Sequence, residues 1–143
     1  MVKTVDRLLD STLDSVDSAE ELVVEIAEQS GFPGDDLHKV GMAVRESMAN
    51  AVVHGNRYNA HKKVRIRVSG SPERLEISVS DQGNGFDCEC LPDPLQETNL
   101  LRQSGRGIFL IRAFMDEFHV RRLEPSGTEV LMVKYGAAPS KAT

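Results

Sequence analysis

The stretch KVRIRVSGSPERLEISVS, residues 63–80, constrains the fold more than any other part of this 143-residue sequence. Apolar residues stand at every second position on both sides of a Gly-Ser-Pro-Glu turn: Val64, Ile66, Val68, Leu75, Ile77 and Val79. This period of two predicts an antiparallel hairpin with one apolar face. That face has to be buried, so other elements of the chain must cover one side of the sheet.

Three helices are predicted to provide this cover. The first runs from about 16 to 30, with apolar residues at helical spacing after possible caps. Its residues are Leu22, Val23, Ile26 and Ala27, and the caps are Asp14, Asp17 and Ser18. The second begins near Asp35 and Asp36, whose carboxylates suit a helix N-terminus, and ends at Gly55. The third follows Gly107 and has four apolar residues on one side, namely Ile108, Ile111, Met115 and Phe118.

Two more strands, about 117–123 and 128–135, are predicted around an Glu-Pro-Ser-Gly turn. Residues 86–104 contain two prolines and no sustained period, which is typical of a functional loop, and we interpret them as a lid. Residues 137–143 are expected to be a disordered tail. This order of elements predicts a single α+β domain, 1–143, with its core at about 10–136. The expected architecture is a two-layer α/β sandwich whose mixed, mostly antiparallel sheet has helices packed on one face.

Composition argues against several classes of protein. The formal net charge of -5 disfavours nucleic-acid binding, which depends on Lys and Arg at phosphates. Because no uninterrupted apolar run exceeds four residues, we expect no membrane segment and no signal peptide, and hence a cytoplasmic protein. Cys88 and Cys90 are the only cysteines, and we expect them to be reduced loop thiols.

The second helix carries a polar pair in an apolar setting. Glu46 and Asn50 are one turn apart and therefore neighbours on the helix surface. Four apolar residues flank them: Met42, Ala43, Ala49 and Val53. On spacing alone the pair fits an exposed glutamate and a capping asparagine, but the apolar flanks argue against exposure, and a bound polar ligand would satisfy both groups.

Two glycine patterns follow in the chain. Asp81-x-Gly83-x-Gly85 comes after a strand, where a carboxylate can accept a hydrogen bond from an amino group and glycines let a flat ligand approach the backbone. A calcium loop would need oxygen ligands where the glycines stand, whereas a plain turn remains an alternative. Gly105-x-Gly107 opens the third helix, whose free amide groups attract phosphate. Neither pattern matches a P-loop or a dinucleotide fingerprint.

Taken in order, these segments resemble the ATPase domain shared by gyrase, heat-shock chaperones, mismatch-repair proteins and histidine kinases, the Bergerat fold. The resemblance covers about residues 10–136. Within that superfamily, the sequences NAVVHGN and GRGIFLIRAFMDE and the small size are most similar to the bacterial anti-sigma factor serine kinases.

The resemblance implies ATP and Mg²⁺ as cofactors and a role for each matching residue. Asp81 would bind the adenine amino group, with Gly83 and Gly85 beside the base and Thr128 supporting Asp81 or a water. Asn50 would hold Mg²⁺, and Glu46 would be the general base for a partner's serine. The phosphates would be enclosed by the backbone of Ser104, Gly105, Arg106, Gly107 and Ile108, with His54 and Arg106 adding charge or hydrogen bonds.

The resemblance further implies an ATP-dependent serine/threonine kinase that acts on a small anti-anti-sigma (STAS-like) partner, regulates a sigma factor and forms a homodimer. Two alternatives stay open. One is a nucleotide-dependent partner-switching module without phosphotransfer, and the other is a kinase that acts on a regulatory scaffold and never meets a sigma factor. Glu46 favours transfer over passive binding, because it is a residue that can accept a proton.

Overall fold

The structure is a computed structural model, and it describes residues 3–82, 107–123 and 127–136. The predicted lid at 86–104 and tail at 137–143 lie outside the described residues. The elements follow one another in this order: β1 (Lys3–Asp10), α1 (Asp14–Gln29), α2 (Gly34–Ala49), a π-helical segment (Asn50–Gly55), β2 (Lys63–Gly70), β3 (Arg74–Ser80), α3 (Gly107–Phe114), β4 (Glu117–Arg122) and β5 (Thr128–Tyr135).

The sheet has five strands in the order β1-β2-β3-β5-β4, and all four neighbouring pairs are antiparallel. The predicted hairpin is confirmed as β2 and β3, with Val68 opposite Ile77. Its turn is closed by two backbone hydrogen bonds. The Ser71 N–H donates to the Arg74 carbonyl at 2.9 Å, and the Arg74 N–H donates to the Ser71 carbonyl at 3.2 Å.

The hydrophobic core lies between the helices and one face of the sheet, which confirms the predicted two-layer α+β architecture. Its fully enclosed side chains come from both layers: Val23, Val40, Val44, Met48, Val64, Ile66, Leu75, Ile77, Ile111 and Met132. The alternating residues of β2 and β3 face this core, as their period of two requires. No helix in the described part of the chain is long and apolar enough to cross a membrane.

The boundaries of the first two predicted helices agree with the structure to within about two residues, but the predicted caps of α1 do not. Its N-cap is Leu13, and no side chain caps the first amide groups. Asp14 and Asp17 lie inside the first turn, where their charges complement the positive end of the helix dipole. Ser18 is further along and donates its hydroxyl to the Asp14 carbonyl at 3.5 Å.

The predicted end of the second helix at Gly55 is confirmed, although its last six residues are π-helical. The Asn56 N–H closes this segment by donating to the carbonyl of Ala51, five residues earlier, at 2.8 Å. Such segments are rare and often occur at functional sites. The polypeptide therefore runs as one continuous helical stretch from Gly34 to Gly55.

Two elements differ from the sequence prediction. Strand β1 was not expected, and it pairs along its whole length with β2 at the edge of the sheet. The predicted third helix was too long, because α3 ends at Phe114 and Phe118 lies in β4, paired with Met132. The chain turns at Asp116, whose N–H donates to the Val133 carbonyl at 2.8 Å and so starts the pairing of β4 with β5.

The attachment of β1 gives a pH-dependent prediction. Arg65 donates from Nε and Nη2 to the two carboxylate oxygens of Asp6, at 2.9 Å and 2.6 Å. This hydrogen bonding lowers the pKa of Asp6 below its usual 3.8. A depressed carboxylate pKa contributes stability above the unfolded value, and that contribution is lost as pH falls through the folded value. We therefore expect favourable coupling between Asp6→Asn and Arg65→Gln at pH 7 that decreases as the pH falls below 3.8 and vanishes below the folded pKa of Asp6.

The measurement is a double-mutant cycle on the free energy of urea unfolding, carried out at pH 7 and at an acidic pH below the folded pKa of Asp6. Arg7→Gln combined with Asp6→Asn is the control pair, because the side chain of Arg7 makes no hydrogen bond or ion pair with any residue that the structure describes. Coupling of equal size at both pH values would contradict the role given to the Asp6 carboxylate.

Candidate functional site

The described part of the site is built around Asp81, which directly follows β3 and is 8% exposed. The first residue of β5, Thr128, contacts it twice. The Asp81 N–H donates to the Thr128 carbonyl at 3.0 Å, and the Thr128 N–H donates to Asp81 Oδ1 at 3.2 Å. The family resemblance had implied that Thr128 supports Asp81 or a water at one edge of the ligand, and the structure brings the two residues into direct contact.

Two glycines enclose Asp81 where any side chain would collide. A Cβ on Gly55, the last residue of the π-helical segment, would overlap the Cγ and Oδ2 atoms of the Asp81 carboxyl group. A Cβ on Gly127 would overlap the Asp81 carbonyl oxygen, and Gly127 has a φ of +109°, which side chains other than glycine rarely adopt. The sequence had indicated Gly55 as a helix cap and Gly127 as a turn residue that precedes Thr128 in the pattern of the resemblance, without any contact of either glycine with Asp81.

Glu46 and Asn50 lie side by side on the continuous helical stretch, as predicted. Glu46 is in the last turn of α2, Asn50 opens the π-helical segment, and both are half-buried. Neither side chain makes a hydrogen bond or ion pair within residues 3–82, 107–123 and 127–136. Two half-buried polar groups without a protein partner in this part of the molecule are available to a ligand.

The same helical stretch connects this polar pair with Asp81. From Glu46 to Gly55, which packs against Asp81, the path is nine residues along the helical axis. The helix thus carries the polar pair at one point and contacts the carboxylate of Asp81 at the other.

A surface cavity of about 310 Å³ lies beside Glu46. Its lining comes from the start of α1 and the end of α2: Leu13, Asp14, Val16, Asp17, Arg45, Glu46 and Ala49. Arg45 fixes the two helices relative to each other by donating from Nη1 to Asp17 Oδ1 at 2.7 Å and to Glu20 Oε1 at 2.8 Å. These hydrogen bonds raise the pKa of Arg45 above its usual value. The sequence alone had not identified Arg45.

The remaining predicted site residues are described in part or not at all. Gly83, Gly85, Ser104, Gly105 and Arg106 lie outside the described residues. Gly107 opens α3, as predicted, and Ile108 follows it in the same helix. His54 lies in the π-helical segment between Asn50 and Gly55. The structure describes no side chain for His54 or Ile108.

Comparison with known families identifies the fold. Residues 9–134 match the Histidine kinase-like ATPase domain family. The match spans α1 to β5 and thus includes Glu46, Asn50, Asp81 and Thr128. The chain therefore belongs to the family of histidine kinase-like ATPase domains, whose members use ATP, and the predicted Bergerat fold is confirmed.

Comparison with individual proteins gives a more specific assignment within this family. The chain is 31% identical over 116 residues to the serine-protein kinase RsbW of Bacillus subtilis, covering 77% of this chain and 71% of that protein. It is 36% identical over 117 residues to the RsbW of Bacillus licheniformis, with the same coverage. The RsbW of Staphylococcus epidermidis is 32% identical over 114 residues, which is 75% of this chain and 70% of that protein.

These relatives place the chain among the protein serine kinases of the RsbW family, which confirms the resemblance to the anti-sigma factor serine kinases. The chain is thus a kinase of the protein serine/threonine class. Among solved structures, the catalytic domain of the histidine kinase ThkA aligns with a TM-score of 0.48 and 13% identity, covering 93% of this chain and 95% of that one.

The contact between Gly55 and Asp81 gives a second prediction. Gly55→Ala forces a methyl group into the Asp81 carboxyl group, and overpacking of this kind typically costs about 1–3 kcal/mol. We expect a lower melting temperature for Gly55→Ala, measured by calorimetry. The control is Gly34→Ala at the start of α2, where a Cβ meets no atom within 4 Å. We expect the control to match or exceed the wild-type melting temperature, and an equal loss in both variants would contradict the contact.

Proposed function

We propose that this chain transfers the γ-phosphate of ATP, with Mg²⁺, to a serine of a small anti-anti-sigma (STAS-like) partner and thereby regulates a sigma factor. The observation that carries this proposal is the continuous helical stretch that holds Glu46 and Asn50 at one point and packs Gly55 against Asp81 at another. The family membership supports the chemistry, since the relatives are named serine-protein kinases.

Asp81 suits the adenine end of the nucleotide. Its buried carboxylate can accept a hydrogen bond from an exocyclic amino group, and the Thr128 N–H holds Oδ1 in a fixed orientation. The glycine at position 55 leaves no side chain against this carboxyl group, and the glycine at position 127 leaves none against the Asp81 carbonyl oxygen. We infer that Asp81 selects adenine because a carboxylate repels the carbonyl oxygen that guanine carries at the same position.

Asn50 suits the metal end. The amide oxygen of an asparagine is a hard ligand of the kind that Mg²⁺ prefers, and Mg²⁺ is usually bound by one or two protein groups together with phosphates. Asn50 has no hydrogen-bond partner within the described ranges that would compete for this oxygen. The backbone at 104–108 and the side chains of His54 and Arg106 stay predicted phosphate contacts.

Glu46 is one turn before Asn50 and lines the cavity between α1 and α2, so a serine that enters this cavity would meet its carboxylate. When bound, ATP supplies the phosphoryl group and Mg²⁺ neutralises its charge. Glu46 would accept the proton of the serine hydroxyl as the hydroxyl oxygen forms its bond to the γ-phosphorus and the bond from that phosphorus to the bridging oxygen breaks, so that ADP leaves. Arg45 maintains the cavity by tying α1 to α2.

The test of the adenine end is Asp81→Asn. The neutral amide keeps the size of the side chain, but it presents only one acceptor oxygen and adds a donor group. We expect Asp81→Asn to abolish measurable ATP binding in isothermal titration calorimetry with Mg²⁺. Asp35→Asn, an exposed position at the opposite end of α2, is the control and should bind like wild type. Wild-type affinity in Asp81→Asn would remove Asp81 from the nucleotide site.

Glu46→Gln separates binding from transfer. Glutamine cannot accept the serine proton, so we expect phosphorylation of a cognate partner to fall by roughly 10²- to 10⁴-fold while ATP affinity is retained. The measurement is transfer of label from γ-labelled ATP to a partner serine. Glu28→Gln, exposed on α1, serves as the matched control. Unchanged transfer by Glu46→Gln would exclude it as the base, and no label on any partner with wild type would favour a switching module without phosphotransfer.

A further inference from the structure

A second polar residue at the end of the helical stretch is buried more deeply than Asp81. Asn56 directly follows the π-helical segment and is 2% exposed. Its Nδ2 atom donates to Ser11 Oγ and to the Lys63 carbonyl, both at 2.9 Å. Its Oδ1 atom accepts a hydrogen bond from the Gln82 N–H at 2.7 Å. The side-chain amide therefore uses both of its donor hydrogens and its acceptor.

The network around Asn56 joins four segments of the chain. Ser11 follows β1, Lys63 begins β2 and Gln82 comes after β3. Two further bonds close the network: Ser11 Oγ donates to the Lys62 carbonyl at 2.5 Å, and the Lys63 N–H donates to Gln82 Oε1 at 2.5 Å. A satisfied polar network in a buried position fixes its members in one arrangement.

The bond from Gln82 to Asn56 also fixes Asp81. The Gln82 nitrogen and the Asp81 carbonyl belong to one planar peptide group. Gly127 lies against the carbonyl side of that group, and Asn56 Oδ1 binds its N–H side. The preceding N–H, that of Asp81 itself, donates to the Thr128 carbonyl. The backbone on both sides of Asp81 is thus held, by β5 on one side and by Asn56 on the other.

We propose that Asn56 is a positioning residue for nucleotide selection. It holds the Asp81–Gln82 peptide group against the end of the helical stretch and so sets the direction of the Asp81 carboxylate. This inference rests on the proposed function, in which Asp81 reads the base. Since Asn56 follows the helical stretch that carries Asn50, the same bond fixes the base-reading carboxylate relative to the residue proposed for the metal.

A purely structural role would also destabilise the protein on mutation, so the test compares two members of the network. Ser11→Ala removes the Ser11 hydroxyl but leaves the bond between Asn56 and Gln82 in place. Asn56→Ala removes that bond. Asn56→Asp keeps an acceptor oxygen for the Gln82 N–H while losing both donor hydrogens, the one to Ser11 Oγ and the one to the Lys63 carbonyl.

The measurements are the dissociation constants for Mg²⁺-ATP and Mg²⁺-GTP and the melting temperature of each variant. We expect all three variants to melt at lower temperature than wild type. Asn56→Ala should also weaken ATP binding by roughly tenfold, the factor that corresponds to the net contribution of one hydrogen bond, and should reduce the preference for ATP over GTP. Ser11→Ala and Asn56→Asp should keep the wild-type preference.

An independent readout uses the wild-type protein without nucleotide. The Gln82 amide proton should exchange slowly with solvent in an NMR hydrogen-exchange experiment, because Asn56 accepts it, and rapid exchange would overturn the proposal even if Asn56→Ala fails to fold. An Asn56→Ala variant that folds and keeps the ATP preference would also overturn it. If wild type binds no ATP, the proposed function fails as well. If wild type binds ATP and only this comparison fails, the proposed function stands.

Discussion

The approach of Gly55 to the Asp81 carboxyl group is the contact on which the rest of the site depends. The absence of a side chain at position 55 lets the end of the helical stretch touch the end of β3 directly. Any larger residue would separate the helix from the strand and move Asn50 and Glu46 away from Asp81. The distance between the two halves of the candidate site is therefore set by packing, and not by a flexible loop.

The fold was largely predictable because most of its elements carry a clear period. The apolar residues of β2 and β3 stand at every second position and face the core, and the apolar residues of α1 and α2 recur at helical spacing. Strand β1 was not predicted from the sequence, because only Val5 and Leu9 are half-buried in it and the other six residues are exposed. An edge strand pairs on one side only, and charges such as Asp6 serve ion pairs with β2 that no local pattern records.

The candidate site was predictable where its residues are neighbours in sequence. Glu46 and Asn50 could be paired from helical spacing alone, and Asp81 could be placed from the end of a strand. The contacts of Arg45 with α1 and of Asn56 with Ser11 and Gln82 could not, because they join residues separated by 25 to 45 positions. A π-helical segment also has no characteristic sequence period that would predict it. In this structure the segment ends with Gly55 packed against Asp81 and is followed by the buried Asn56.

We propose that one ligand, a magnesium–adenine nucleotide, contacts both Asp81 and Asn50 along this helical stretch. The most direct measurement is a crystal structure of the protein with Mg²⁺ and a non-hydrolysable ATP analogue. We predict that the adenine amino group will lie within hydrogen-bonding distance of the Asp81 carboxylate, with the metal bound by the Asn50 side chain. Nucleotide bound elsewhere, or bound with its base away from Asp81, would show that Asp81 and Asn50 do not form one nucleotide site.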